Sequence, residues 1–153
     1  MRSSSKLELA VDKNVFYTAA EIDNPPKEAS IAAMRTLLKI IDECHRIVVS
    51  EEYLRSITNK LKTSKKVSTQ YLLKILNELR AYHGKLRYVD TYHNLKGIPR
   101  KDIDVASFAL QSRDKILIVA DVNEKPADEK LTSILKTKYN VHVFTCKSFL
   151  ALV

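Results

Sequence analysis

Six acids in this sequence occupy positions where an alternating strand-helix chain places its chemistry: Asp12, Glu51, Glu52, Asp102, Asp104 and Asp121. Asp12 ends the apolar run Leu7-Glu8-Leu9-Ala10-Val11. Glu51 and Glu52 follow Arg46-Ile47-Val48-Val49, and Asp121 ends Ile116-Leu117-Ile118-Val119-Ala120. Asp102 and Asp104 open a helical pattern after a third strand-like run. Strands of one open parallel sheet would bring these acids together beyond its carboxyl edge, where such sheets bind ligands. Carboxylates gathered in one place resist ionisation unless a cation neutralises them. Mg²⁺ or Mn²⁺, which prefer oxygen ligands, suit such a cluster, and such an ion activates water against a phosphodiester. Each acid also has a structural explanation. Asp12 could start a turn, Asp102 and Asp104 could face a helix dipole, and Asp121 could cap the turn before Pro126.

The cations fit the same chemistry. Lys96, Arg100 and Lys101 flank Asp102, close enough in sequence to hold RNA phosphates beside a metal. Tyr88 and Tyr92 lie near them and could stack on bases. Lys60, Lys62, Lys65, Lys66, Arg80, Lys85 and Arg87 make the middle of the chain basic, in the manner of a solvated surface. The net charge of +8 favours an acidic partner, most simply nucleic acid. Other chemistries lack their motifs. His45, His83, His93 and His142 show no zinc-hydrolase spacing, and there is no GxxxxGK[ST], GxGxxG or GxSxG.

The elements that must position these residues alternate. After the first strand, a helix is predicted from Pro25 to Cys44, with Asn24 as N-cap and Ile31, Met34, Leu37, Leu38, Ile41 and Cys44 facing the core. Ser50 caps a helix carrying Tyr53, Leu54, Ile57 and Leu61. Another helix covers Ser68 to Tyr82, with Tyr71, Leu72, Ile75, Leu76 and Leu79 inward. Leu86 to Val89 reads as a strand, Asp102 opens a helix, and Ile116 to Ala120 is an uninterrupted apolar strand of the kind covered on both faces. A helix from Pro126 to Lys138, a strand over Val141 to Phe144 and a short helix around Phe149 complete the order. The expected fold is α/β, a three-layer α/β/α sandwich around a central parallel sheet of four to five strands. The 153 residues suit one domain, with residues 1–6 as a flexible tail.

In this order the residues resemble the PIN domain family. Val11-Asp12-Lys13-Asn14-Val15-Phe16 is similar to its first motif, and Asp102-Ile103-Asp104-Val105-Ala106-Ser107-Phe108-Ala109 to its third. Ile118-Val119-Ala120-Asp121 resembles the fourth, and Phe144 to Leu150 the closing strand and helix. The resemblance implies a Mg²⁺- or Mn²⁺-dependent endoribonuclease, related to the toxins of toxin–antitoxin pairs. It makes Asp12, Asp102 and Asp121 metal ligands, Asn14 a support of the site, and Asp104 an extra ligand or acid–base helper. It also implies a homodimer and an antitoxin or other protein partner. The chain departs from the pattern where the family carries a Glu about six residues after a Ser like Ser50; here that residue is Ser56. Glu52 is the substitute acid that could reach the metal. The Thr or Ser before the last Asp is also replaced, by Val119-Ala120.

Two further readings stay open. One is a catalytically weakened relative that binds RNA or a protein partner, suggested by Ser56. The other is a phosphoryl-accepting receiver-type domain, which would need paired acids after the first strand, whereas Asp12 is followed by Lys13. No run of 18 apolar residues and no signal-peptide core is seen, so a cytoplasmic protein without membrane contact is expected. Cys44 and Cys146 are too far apart in sequence to suggest more than buried or half-buried thiols.

Overall fold

The computed structural model describes residues 6–22, 27–82, 84–120 and 129–152. Except for Lys6, the predicted tail lies outside the described residues, as do Asn24, Pro25, His83, Asp121 and Pro126. The elements run β1 (Glu8–Val11), α1 (Lys13–Ala20), α2 (Glu28–Asp42), β2 (Arg46–Val49), α3 (Glu51–Leu61), α4 (Val67–Ala81) and β3 (Leu86–Tyr88). A 3-10 turn (Arg100–Asp102) then leads into α5 (Ile103–Gln111), β4 (Ile116–Val119), α6 (Glu129–Tyr139), β5 (His142–Thr145) and α7 (Cys146–Leu150).

The strands form one all-parallel sheet in the order β3-β2-β1-β4-β5. Register pairs Leu9 with Ile47 and Val11 with Ile118. β1 is central, and all four of its residues are buried. The chain steps outward from β1 to β2 and β3, then crosses back over β1 to β4. Right-handed crossovers therefore place α1 to α4 on one face and α5 and α6 on the other. The packing agrees: α1 rests on α2, α3 and α4, α2 on α7, and α5 on β1, β2 and β4. The result is the expected α/β/α sandwich. Among the described residues no helix is long and apolar enough to cross a membrane.

The structure adds one helix and corrects two expectations. Lys13 to Ala20, unassigned from the sequence, is a helix; it buries Val15, Phe16, Ala19 and Ala20, whose spacing is one helical face. On α2 the expected Met34 and Leu37 are buried and Leu38 and Ile41 pack partly against the core, but Ile31 and Cys44 are exposed, and Ala29, Ala32, Ala33, Thr36 and Ile40 widen the buried face. Small residues let α2 approach α1 closely, so shape complementarity outweighs side-chain hydrophobicity there. Tyr71, predicted inward on α4, is exposed for the same reason of facing: Leu72, Ile75, Leu76 and Leu79 complete the stripe without it.

Candidate functional site at the carboxyl edge

In a parallel sheet each crossover helix begins at the carboxyl edge, so the amino-terminal turns of α1, α3 and α5 all start there. Their dipoles favour negative charge at that edge. The chain's direction reverses between β1 and β4, and the crevice at that switch point is where open α/β sheets hold ligands.

Asp12 follows β1 at this point. Its backbone N–H donates to Ile118 O of β4 (2.9 Å), which ties it to the switch point. It occupies the N-cap position of α1, yet its side chain makes no capping bond. One carboxylate oxygen instead accepts from the Tyr53 hydroxyl (3.3 Å), and the other faces the Asn14 side-chain amide (3.4 Å). Asp102 repeats this behaviour as N-cap of α5 without a side-chain capping bond. Both acids sit at helix N-termini, where the dipole favours their charge, without capping through their side chains.

Tyr53 is the residue that sequence reasoning assigned only to an apolar face. Ser50 caps α3 by accepting the Tyr53 N–H (3.1 Å), which fixes the ring one turn into the helix. The ring packs edge-on against Phe108 of α5, with centroids 5.2 Å apart. Its hydroxyl donates to Asp12 while accepting the Lys13 N–H (2.9 Å). A single phenol thus joins the ends of β1 and β2 to α5. Its signal in the sequence is slight: a tyrosine three residues after a Ser cap.

Asp102 is brought in by the β3–α5 connection. Its N–H donates to Pro99 O (2.9 Å), buried Ile98 anchors the preceding turn, and Gly97 supplies the positive φ of 87° that the turn needs. The Ser107 hydroxyl of α5 accepts from the Tyr92 N–H (2.7 Å) and from the Gln111 side-chain amide (3.1 Å), pinning the loop to the helix. Burial raises the Asp12 carboxyl above its ordinary value of 3.8, and Asp102 pushes it further up. The Tyr53 hydroxyl and Lys13 oppose this. Burial and Asp12 likewise raise Tyr53, so its phenol stays protonated, and Asp104 adds to that shift. Tyr17 is raised by burial and by Asp12.

The other predicted residues are distributed along the same edge. Asp104 is exposed and lines a cavity of about 670 Å³ together with Lys96, Arg100, Ile103 and His93. Lys101 is exposed beside it. Glu52 is exposed and, with Glu51, Ser50, Tyr88, Asp90 and His93, lines a neighbouring cavity of about 710 Å³. The two cavities meet at His93. Ser56 is exposed, and its hydroxyl donates to the Tyr53 carbonyl of its own helix (2.9 Å). Asp121 lies outside the described residues, two positions beyond the end of β4. Among the described residues, no three His, Cys, Asp or Glu side chains are grouped to hold a metal.

The arrangement at Asp12 suits cation binding in its donor chemistry. A half-buried carboxylate with a raised proton affinity, within electrostatic reach of a second carboxylate, gains from a nearby positive charge. No family model matches the chain, and no curated protein or solved structure matches it either.

Proposed function

We propose that this chain is a divalent-metal-dependent ribonuclease acting at the switch point of its sheet. The observation that carries the reading is the pairing of Asp12 with Asp102: two acids from separate elements, both at N-cap positions and neither capping, with Asp102 raising the pKa of Asp12. Asp12 and Asp102 would hold Mg²⁺ or Mn²⁺, with Asp121 as the third ligand that the PIN resemblance implies. A cation held there supplies electrostatic stabilisation for the charge that builds on a phosphodiester under attack by water. The chain's own groups do the positioning. Asn14 and Tyr53 fix the two oxygens of Asp12, and Lys96 and Arg100, on the wall that also carries Asp104, would receive RNA phosphates.

The test is cleavage of a labelled single-stranded RNA with Mn²⁺, Mg²⁺ or EDTA, with wild type beside Asp102→Asn. Cleavage should require the metal and fall about a hundredfold or more in the variant, as it does for groups that hold or orient a metal. Equal cleavage in EDTA, or undiminished cleavage by Asp102→Asn, would remove the proposal.

Ser56 favours a second reading. The position where the PIN pattern carries Glu holds a hydroxyl turned to its own helix backbone. This supports a catalytically weakened module that binds RNA or a protein partner without turnover. Repeated metal-dependent turnover would exclude it.

A further inference from the structure

The amino edge of the sheet, opposite the acids, carries a row of cations. In strand order, Lys85 precedes β3, Arg46 opens β2, Lys6 precedes β1 and Arg113 lies just before β4. Adjacent strands are about 4.8 Å apart, so the row spans roughly 14 Å. These four side chains line one cavity of about 330 Å³ whose only acid is Glu8. That volume is at the lower end of the range for small-ligand sites.

Glu8 offsets part of the row's charge through its ion pair with Arg46, and its other oxygen is engaged elsewhere. One oxygen accepts from Arg87 Nη1 and from the Arg113 N–H (2.9 Å), and the other stands 3.7 Å from Arg46 Nη1. Most of the cations' partners are neutral carbonyl groups, while Arg113 is also ion-paired with Asp114. Arg46 Nε donates to Gly84 O (2.9 Å), Lys85 Nζ to Ile41 O (2.9 Å), and Arg113 Nη2 to Lys6 O and to Asp114 (2.9 Å). Gly84, at a φ of 89°, closes the wall beside the Arg46 guanidinium. Arg46 and Arg113 remain about half exposed, with 46% and 62% of their side chains accessible. Arg46, Lys85 and Arg113 are held in place around a hollow in which cations outnumber acids.

We infer that the amino-edge cavity lined by Lys6, Arg46, Lys85 and Arg113 binds a phosphoryl group. A phosphoryl group offers several oxygens to a guanidinium fork and to ammonium groups at once, which one carboxylate does not. The site is independent of the carboxyl edge and of any activity there. The phosphoryl group belongs either to a mononucleotide or strand end, or to the backbone of a polynucleotide.

The experiment is a titration of the ¹⁵N-labelled full chain, in EDTA and at low ionic strength, followed by amide chemical shifts. The probes are inorganic phosphate, adenosine monophosphate, and an oligouridylate without terminal phosphates. The amides of Gly84, Lys85, Arg46 and Arg113 should shift. Lys6→Glu, a change at an exposed residue, should weaken binding about tenfold, the effect of losing one charged contact. Arg46→Ala should do the same; if it unfolds, Lys6→Glu alone decides. Shifts with phosphate or the mononucleotide identify a terminal phosphoryl ligand. Shifts with the oligouridylate alone identify the backbone. No shift at these amides with any probe, or shifts that Lys6→Glu leaves unchanged, overturns the inference.

Discussion

β1 carries a carboxylate at each end, and the two ends treat it differently. Glu8, at the amino edge, is surrounded by Arg87, Arg46 and the Arg113 N–H, while its own N–H donates to Asp114 (2.8 Å). Asp12, at the carboxyl edge, receives one phenol hydrogen bond and a long one from Asn14, and faces Asp102. The first carboxylate is neutralised by the chain, so its interactions serve the fold. The second is answered only in part, by Tyr53 and Lys13, and burial with Asp102 still disfavours its charged form, which suits it to an external cation.

Substitutions at the two ends should therefore have opposite signs. Glu8→Ala should lower stability in urea denaturation by about 3 kcal/mol, because it removes a buried carboxylate and the charged hydrogen bonds it accepts from Arg87 and the Arg113 N–H. A loss below about 1 kcal/mol would show that the amino-edge network is ornamental. Mn²⁺ should raise the melting temperature of wild type but not of Asp12→Asn or Asp102→Asn. A cation at a hundred times its dissociation constant stabilises by about 2.7 kcal/mol. An equal rise in all three proteins would place the cation elsewhere. Without metal, Asp12→Asn should itself be more stable than wild type at neutral pH, by about 1 kcal/mol. The sign follows from the raised carboxyl: folding favours the protonated form, so this contribution is present at low pH and is lost as pH rises through the folded value. A destabilised Asp12→Asn would instead mark Asp12 as a structural residue.

The smallest effect is expected at His45, buried near the amino edge. Its Nδ1 accepts the Leu7 N–H (2.9 Å), its ring meets Phe149 edge-on, and Glu43 stands 3.6 Å from Nε2. Burial lowers its pKa below 6.5, against the opposing pull of Glu43. The folded state then binds fewer protons than the unfolded one, so stability is full above about pH 6.5 and falls as pH drops below it. Denaturation midpoints at pH 7 and pH 5 should differ in wild type and converge in His45→Asn, whose amide oxygen can still accept from Leu7. An unchanged pH dependence would assign the effect to other groups.

What was legible in the sequence follows from how local each signal is. β2 and β4 are β-branched or apolar runs bounded by charge, and their positions follow from composition alone. The placement of Asp12 and Asp102 at helix starts follows from the order of elements. α1 was hidden because its apolar residues, Val15, Phe16, Ala19 and Ala20, come in two short pairs inside eight residues. The alanines of α2 are not legible because they carry little weight in a hydrophobic pattern, although they widen its buried face. The role of Tyr53 depends on a contact with Asp12, 41 residues away, and a tyrosine at an apolar helical position looks like core from either neighbour. Nothing short of the fold itself reveals that contact.

The position of β1 also has a consequence for the order in which the molecule is made. Among the described strands, the one that comes first in chain order is the central one, so one of its edges must wait for β4. The hydrogen bond from Arg113 N–H to Glu8 spans 105 residues, and that from Glu8 N–H to Asp114 spans 106. Closing loops of that length precedes any return from the contacts they make, which slows folding. On the ribosome, β1, β2 and β3 can assemble with α1 to α4 while an apolar edge of β1 stays open. Pulse-labelled hydrogen exchange during refolding should find the amides of β4 and β5 protected after those of β2. Simultaneous protection would mean that the sheet forms only as a whole. During that interval the nascent chain exposes the edge of Leu9 and Val11 to any other strand, and the delay in β4 sets how long this lasts.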